Sequence, residues 1–376
     1  MKILAVSDIH IGREKENIDY AKAFARYAES SNPDLIIMAG DIAEYTYDNE
    51  RQMNQYIMNA QKMLAITESE LHRRRRHKAI ELTPYETVCA SAIVAEELLR
   101  KPFPEDWKET ARAHLQSIKD AEWVMNNYYA VFEHMFRAVK GKILAIPGNH
   151  DINLEDTILR ELNIDRKAVQ RQGLKIYGYG GAAFRNGSPL FSRIPSEITA
   201  PFNEYVEQKA NEATGILEGR IVSEPQRLLE KEQPDIAVLH TPPFGVLDMP
   251  VHLKDEKMPE EQKHLGSPGV TEYAKSGKTK LILCGHVHSS PGIIRVPSEN
   301  SELVAVVNLG CLGKTESEGG SFAEIEMDEK GFQSARFYEM ITRGDNPLVA
   351  MKRMFIRKNR AVIDEIYLSG EMPSRD

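Results

Sequence analysis

Cysteine is scarce. Cys89, Cys284 and Cys311 are the only three in 376 residues, and their wide separation fits no zinc or dithiol spacing and no disulfide framework. Each reads as a buried or incidental thiol. Positive charge is not in excess: 48 Lys and Arg stand against 56 Asp and Glu, and the net charge of −8 gives no global field to draw the chain to nucleic acid or an acidic membrane. No apolar run approaches the length of a bilayer span, so a membrane is not an expected partner. Lys2–Val6 already reads as strand, so no secretory leader is expected, and a reducing cytoplasm is the simplest location. What is present is a globular composition, 41% hydrophobic and 28% charged, long enough for one large domain or two ordinary ones.

The apolar pattern predicts strands at Lys2–Ser7, Asp34–Ala39 and Lys142–Ile146, with a helix over Glu14–Ser30 stopped by Ser31-Asn32-Pro33. A βαβ start of this kind implies a parallel pair with a right-handed crossover. Between the second and third strands the chain is rich in helix formers. Pro84, Pro102 and Pro104 divide it into expected helices at Asn54–Leu71, Tyr85–Leu99 and Asp106–Val139. Leaving the carboxyl end of a parallel sheet between Asp41 and Asn149, residues 51–139 read as a helical insertion, a cap beside the mouth of any site there. Strands are further expected at Leu174–Gly181, Asp235–Leu239 and Lys280–Cys284, and helices over Phe202–Leu217, from Pro225, and after Ser267-Pro268. Gly292–Val296, Leu303–Asn308, Phe322–Met327 and Gln333–Tyr338 follow with no helix between them and read as an antiparallel meander forming a second sheet. Residues 346–376 read as a basic, partly amphipathic helical tail. The core is then 1–50 plus 140–345.

Five short motifs place metal-binding side chains just after apolar strands: Asp8-Ile9-His10, Gly40-Asp41, Gly148-Asn149-His150-Asp151, His240, and Gly285-His286-Val287-His288. Ligands in open α/β sheets bind beyond the carboxyl ends of strands. Carboxylate, imidazole and amide oxygen together suit a pair of divalent cations. A lone Asp after a strand is usually a cap or turn residue, and His240 by itself could be a core histidine. Five such motifs at strand ends are not accounted for in that way.

The set resembles the blocks of the calcineurin-like metallophosphoesterases, DxH, GDxxE/D, GNHD/E, a lone His and GHxH, with Glu44 closing the second block. The resemblance spans roughly residues 1–50 and 140–340. His240-Thr241-Pro242-Pro243, Asp248 and His264-Leu265-Gly266-Ser267 further resemble a branch of small bacterial and archaeal phosphoesterases. The resemblance implies an α/β fold, a four-layer αββα sandwich of two mixed sheets carrying the inserted helical cap. It also implies two divalent metal ions, Mn²⁺ first, with Fe, Zn, Co or Ni as options. Asp8, His10 and His288 would hold one ion, Asn149, His240 and His286 the other, and Asp41 would bridge them. A hydroxide held between the ions would attack phosphorus in line, without a covalent enzyme intermediate. His150 would contact the phosphate and protonate or stabilise the leaving oxygen, and Asp151 would orient His150 through a hydrogen bond. Glu44 fits a supporting or structural role better than that of a ligand.

The function expected is hydrolysis of a phosphodiester or phosphomonoester. The partner is a small phosphoester, a nucleotide among the options, rather than extended nucleic acid. A nuclease of the same superfamily is the first alternative, against which the acidic charge and the lack of a basic, aromatic-studded stripe speak. A non-catalytic binding or scaffolding module is the second, and no motif is degraded as it would require. Gly266-Ser267 ahead of a helix reads either as an anion site contacting substrate or as a plain cap, and Arg185 as a candidate phosphate contact. Arg73-Arg74-Arg75-Arg76 reads as a solvated face or as a substrate-steering patch. His72, His77, His114, His134 and His252 read as surface or cap residues, and Trp107, Trp123, Tyr128 and Tyr129 as core.

Overall fold

The computed structural model describes residues 1–47, 50–75, 84–182, 198–210, 217–254, 256–257, 259–314, 319–343, 346–350, 353–357 and 360–364. Strand β1 (Lys2–Val6) leads through α1 (Lys15–Ser31) to β2 (Leu35–Ala39). The insertion follows as α2 (Glu50–Arg75), α3 (Pro84–Arg100) and α4 (Glu105–Met135), and the chain returns to the sheet at β3 (Ile143–Ile146). β4 (Ala168–Arg171), β5 (Leu174–Tyr179), β6 (Glu204–Ala210) and β7 (Leu217–Ser223) come next, then α5 (Glu224–Glu232) and β8 (Ile236–Leu239). After α6 (Pro268–Lys275) run β9 (Leu281–Cys284), β10 (Gly292–Pro297), β11 (Leu303–Asn308), β12 (Ser321–Asp328) and β13 (Gly331–Arg343). β14 (Asn346–Ala350), β15 (Arg353–Arg357) and β16 (Arg360–Asp364) complete the described elements.

Two mixed sheets result. One runs β16-β15-β13-β12-β1-β2-β3, with β14 also on β13; the other runs β10-β11-β9-β8-β5-β4. Within them β1-β2-β3 and β5-β8-β9-β11 are parallel. The period-two alternation of strands builds the layers. Leu4, Val6, Ile36 and Met38 face α1 and the C-terminal half of α4. Their neighbours Ile3, Ala5, Leu35 and Ile37 meet Ile176, Val238 and Leu283 of the opposite sheet. The outer face of that second sheet packs Ala237, Leu239 and Ile282 under Leu229 of α5 and Tyr273 of α6. This is the four-layer αββα sandwich.

Helix α4 belongs to two cores. Ala111 packs with Met63 and Ile66 of α2 and Val94, Ala95 and Leu98 of α3 in a separate small core. Ala121, Met125, Tyr129 and Phe132 lie in the main core. The insertion therefore ends, as a packing unit, about halfway along α4 rather than at residue 139.

Three expectations about elements are corrected. The described residues of the expected helix Phe202–Leu217 are not helical: β6 and β7 pair antiparallel with Tyr205 opposite Val222 and Val206 opposite Ile221, and 211–216 lie outside the described residues. β-branched and aromatic residues favour that pairing, and Gly215 and Gly219 weaken a helix. The four late strands are not one meander. β10 and β11 extend the second sheet, whereas β12 and β13 join the first beside β1, because the linking chain crosses the end of β1. There Leu312 N–H donates to the Ser7 carbonyl and Gly313 N–H to that of Asp8. Of the expected helical tail over 346–376, the described residues are strand, not helix: Phe355 pairs with Val362 and Ile356 with Ala361, and β15 adds to β13, while 365–376 lie outside the described residues. Alternating apolar residues there satisfy period two as well as an amphipathic helix.

Candidate metal centre

Every parallel strand that carries a motif releases it at the same edge of the sandwich. Asp8 and His10 follow β1, Asp41 follows β2, Asn149 and His150 follow β3, His240 follows β8, and His286 and His288 follow β9. The turns are tight. Asp8 (φ 56°), His10 (φ 51°), Asp41 (φ 52°) and His286 (φ 67°) all occupy the left-handed region, a conformation that costs on the order of 1–3 kcal/mol per non-glycine residue and concentrates at functional sites. Glycines in the motifs give the room. A Cβ on Gly148 would lie 2.0 Å from Asp41 Oδ1, and one on Gly285 1.9 Å from Ser7 Oγ and 2.4 Å from Asp8 Oδ2.

The side chains converge in two groups. In one, His288 Nε2 lies 2.9 Å from Asp8 Oδ1, and His10 Nε2 lies 3.2 Å from His288 Nε2 and 3.6 Å from Asp8 Oδ1. In the other, His240 Nε2 and His286 Nδ1 each lie 2.9 Å from Asn149 Oδ1. Asp41 stands between them, its Oδ2 3.3 Å from His240 Nε2 and 3.9 Å from His10 Nε2. Asp8, His10, Asp41 and His240 are buried, while His288 and His150 keep 22% and 23% of their side chains exposed and so form the open face.

The remaining ring nitrogens are anchored in the manner of metal-binding histidines, whose second nitrogen is usually held by a carboxylate or a carbonyl. His240 Nδ1 lies 2.8 Å from the Ala39 carbonyl oxygen, and His10 Nδ1 lies 3.0 Å from Glu44 Oε2. Both leave Nε2 directed into the cluster. This donor set, nitrogen and hard oxygen facing one another at contact distance, fits divalent cations. Among the described residues, Asp8, His10 and Asp41 form one tight group of ligand atoms and His10, His288 and Cys311 another.

The electrostatics agree with the geometry. Burial alone would raise the Asp8 carboxyl, yet His288, His10 and His240 hold it well below the usual carboxylate range. Asp41 is lowered in the same way, with His240, His150 and His10 overcoming burial. Glu44 drops to about 2 against its burial, through the hydrogen bond with His10 and the charges of His150, His10 and Arg13. Burial opposes a proton on His10, but Asp8 and Glu44 lift it to about 10, and Asp41 lifts His240 to about 9. His286, buried and next to His240, sinks to about 3. Burial also lowers His150. Three ionised acids thus draw positive charge into the cluster.

Asp151 does not support His150 as expected. Its Oδ2 accepts from the Ile42 and Gly148 backbone N–H groups, and its Oδ1 accepts from Ala43 N–H and the Tyr129 hydroxyl. It clamps the Asp41 loop to the Asn149 loop. Burial, first, and the nearby Asp41 push its carboxyl up to about 6. The carboxylate beside His150 is Glu44, whose Oε1 lies 3.7 Å from His150 Nδ1. Asp41 Oδ1 accepts the His150 backbone N–H at 2.8 Å.

The expected anion site at Gly266-Ser267 is filled by the chain itself. Gly266 N–H donates to Asp248 Oδ2, and Ser267 Oγ and Gly269 N–H donate to Glu204 Oε2 at 2.8 and 3.0 Å. The α6 N-terminus therefore already has its carboxylate, and Ser267 is a cap, its Oγ accepting from Val270 N–H. Arg185 lies outside the described residues. Arg73 pairs with Glu70 on an exposed helix face; the side chains of Arg74, Arg75 and Arg76 lie outside the described residues.

Sequence reasoning passed over Cys311 and Tyr129. Cys311 follows β11, a further parallel strand of the second sheet, so its place at the shared edge was the available signal; its thiol is 2.8 Å from the Gly313 carbonyl and 3.1 Å from that of Asp8. Tyr129 is core, as its helical spacing suggested, but nothing local in sequence indicates its bond to Asp151. Trp123, expected in the core, is 70% exposed.

A sandwich of two mixed sheets that gathers imidazole, carboxylate and amide oxygens at one strand-end edge has the donor set of a metal site. The chain belongs to the calcineurin-like phosphoesterase family, whose model matches residues 1–68 and 120–290. The residues between the two matched stretches cover the end of α2, α3 and the first half of α4. Similar solved structures include TT1561 of Thermus thermophilus, 16% identical over 86% of this chain and 93% of that one, with a TM-score of 0.35. A dimetal phosphatase from Danio rerio is 10% identical over 93% and 98%, with a TM-score of 0.39. No curated protein matches the sequence. Among the described residues no helix is long and apolar enough to cross a membrane.

Proposed function

We propose that this protein hydrolyses a small phosphodiester or phosphomonoester with two divalent ions, Mn²⁺ first among them. The observation that carries the reading is Asp41, whose Oδ2 faces a nitrogen of each histidine group at 3.3 and 3.9 Å. A carboxylate so placed can be shared by two cations and fix their spacing. Asp8, His10 and His288 would hold one ion, and Asn149, His240 and His286 the other. When bound, such a pair supplies a nucleophile from water at neutral pH and charge stabilisation for a phosphoryl group.

The chain's own residues do the rest. His150, on the open face, meets the phosphoryl oxygens and delivers a proton to the departing oxygen. The Glu44 charge, with Oε1 3.7 Å from His150 Nδ1, opposes part of the lowering that burial imposes on that ring. Asp151 holds the Asp41 and Asn149 loops in register, which keeps both ligand groups at one spacing.

The test is chelation followed by add-back of single metals, read on bis(p-nitrophenyl) phosphate and p-nitrophenyl phosphate. The expected result is loss of turnover on chelation, with recovery greatest for Mn²⁺ at two ions per chain. Full turnover by the chelated protein would overturn the reading.

A further inference from the structure

Where the chain leaves the Asp41 loop for the insertion lies a cavity of about 510 Å³, within the usual range for small-molecule sites. It is built by Tyr45, Thr46 and Tyr47 together with residues of α2 and α4. It opens one residue beyond Glu44, the carboxylate that touches His10 and His150. Two further contacts tie residues near it to Gly12, two positions beyond His10. Thr46 Oγ1 donates to the Gly12 carbonyl, and the Tyr128 ring lies so close to Gly12 that a Cβ there would be 2.3 Å away.

The lining is aromatic with a polar edge. Tyr47 and Tyr56 stack with centroids 5.5 Å apart and planes 25° apart, and Tyr45 meets Tyr47 edge-on at 4.9 Å. Trp123 lines the cavity while 70% exposed, the largest exposure among the big apolar side chains described. The amides of Gln55 and Asn59, 3.1 Å apart, supply donors and acceptors, and the Asp120 carboxylate an acceptor. A phosphate group has no use for such walls: among the lining residues there is no Lys or Arg, and Asp120 would repel it. A flat, uncharged ring with hydrogen-bonding edges matches them, since every base presents a π-face to stacking side chains and an edge to amides.

We propose that this cavity, between α2, α4 and residues 45–47, binds the nucleobase of a nucleotide ester whose phosphorus sits at the metal centre. Only the placement of phosphorus at the metal centre rests on the phosphoesterase reading. Base and phosphate are then divided between the α2–α4 cavity and the strand-end edge of the sandwich, and the substrate class is set by that cavity.

The test separates the two. Equilibrium dialysis of adenosine, guanosine, cytidine and uridine against the metal-free full-length protein needs neither phosphate nor metal. Saturable binding of at least one nucleoside is expected in the millimolar range or tighter. Trp123→Ala, at an exposed position that the fold does not need, should weaken it about tenfold or more, the loss carried by one base–aromatic stack. Gln55→Ala should change which nucleoside binds best, and Trp107→Phe, in the separate core of the insertion, should change nothing. In the metal-loaded enzyme, the p-nitrophenyl ester of thymidine 5′-phosphate should exceed methyl p-nitrophenyl phosphate in kcat/KM, and Trp123→Ala should cut that ratio about tenfold. Absence of nucleoside binding, or binding indifferent to Trp123→Ala and Gln55→Ala, overturns the subsite even if aryl esters are hydrolysed. Nucleoside binding by a protein whose turnover ignores chelation leaves the subsite standing and overturns the two-metal reading instead.

Discussion

Tyr129 donates its hydroxyl to Asp151 Oδ1 at 3.0 Å and accepts the Ile152 backbone N–H at 3.1 Å, deep in the main core. One phenol on α4 thereby fixes the loop that presents Asn149 and His150. Tyr129→Phe leaves a buried carboxylate oxygen and a buried N–H each one partner short, which costs about 1–3 kcal/mol. The denaturant midpoint should fall accordingly with little change in slope, and metal affinity should weaken because the Asn149 loop loses a tether. A variant as stable and as tightly metal-loaded as the parent would remove Tyr129 from this role.

Asp41 and His150 should separate cleanly in metal content. Asp41→Ala removes the one carboxylate that faces both histidine groups, so ion content should fall and turnover nearly vanish. His150→Ala should keep both ions and slow turnover by about 10²–10⁴, the usual contribution of a general acid. Elemental analysis of the purified variants decides it: an ion-depleted His150→Ala protein would make His150 a ligand. Glu44→Gln should mimic a milder His150 loss, since its Oε1 is the carboxylate atom near that ring.

The strand-end motifs were legible because each is local: an apolar run, then a ligand, with glycine where neighbouring loops touch. Asp8, Asp41, Asn149, His240 and His286 needed only the rule that parallel strands point their carboxyl ends one way. The partner of His150 was not legible. Asp151 adjoins it in sequence, but backbone donors from Ile42, Ala43 and Gly148 claim both Asp151 oxygens, and those contacts exist only after β2 and β3 pair. The same holds for Ser267, whose anion is Glu204 from a distant hairpin. The late strands misled for another reason: alternation predicts a strand but not which of two sheets receives it.

Glu204 predicts a pH effect away from the metal centre. Burial raises its carboxyl above the ordinary glutamate value, and the hydrogen bonds from Ser223, Ser267 and Gly269 only partly offset this. The folded state therefore holds this proton more tightly than the unfolded chain does, and stability falls as pH rises through the window above about 4.3, the unperturbed glutamate value. Glu204→Gln keeps an oxygen for Ser267 and Gly269 without the charge. It should melt higher than the parent near neutral pH, and the gap should close on acidification to below that value. A gap that is constant or widens with acid would contradict the sign.

The division of α4 between two cores predicts two kinds of damage. Leu98 is buried in the core of the insertion, with Met63, Ile66, Val94, Ala95 and Ala111, whereas Phe132 is buried under the first sheet and stacks on Phe136 at 4.5 Å. Phe132→Ala should cost about 3–5 kcal/mol and lower the unfolding midpoint of the whole chain. Leu98→Ala creates a cavity of similar consequence locally, but the main core does not depend on it. Hydrogen exchange should therefore quicken over α2, α3 and the first half of α4 while β1, β2 and β3 keep their protection and the metal content holds. By the same reasoning, deleting 51–135 should fail to fold, since it removes Met125, Tyr129 and Phe132 with the insertion. A folded, metal-loaded deletion product would mean that α4 serves the insertion alone.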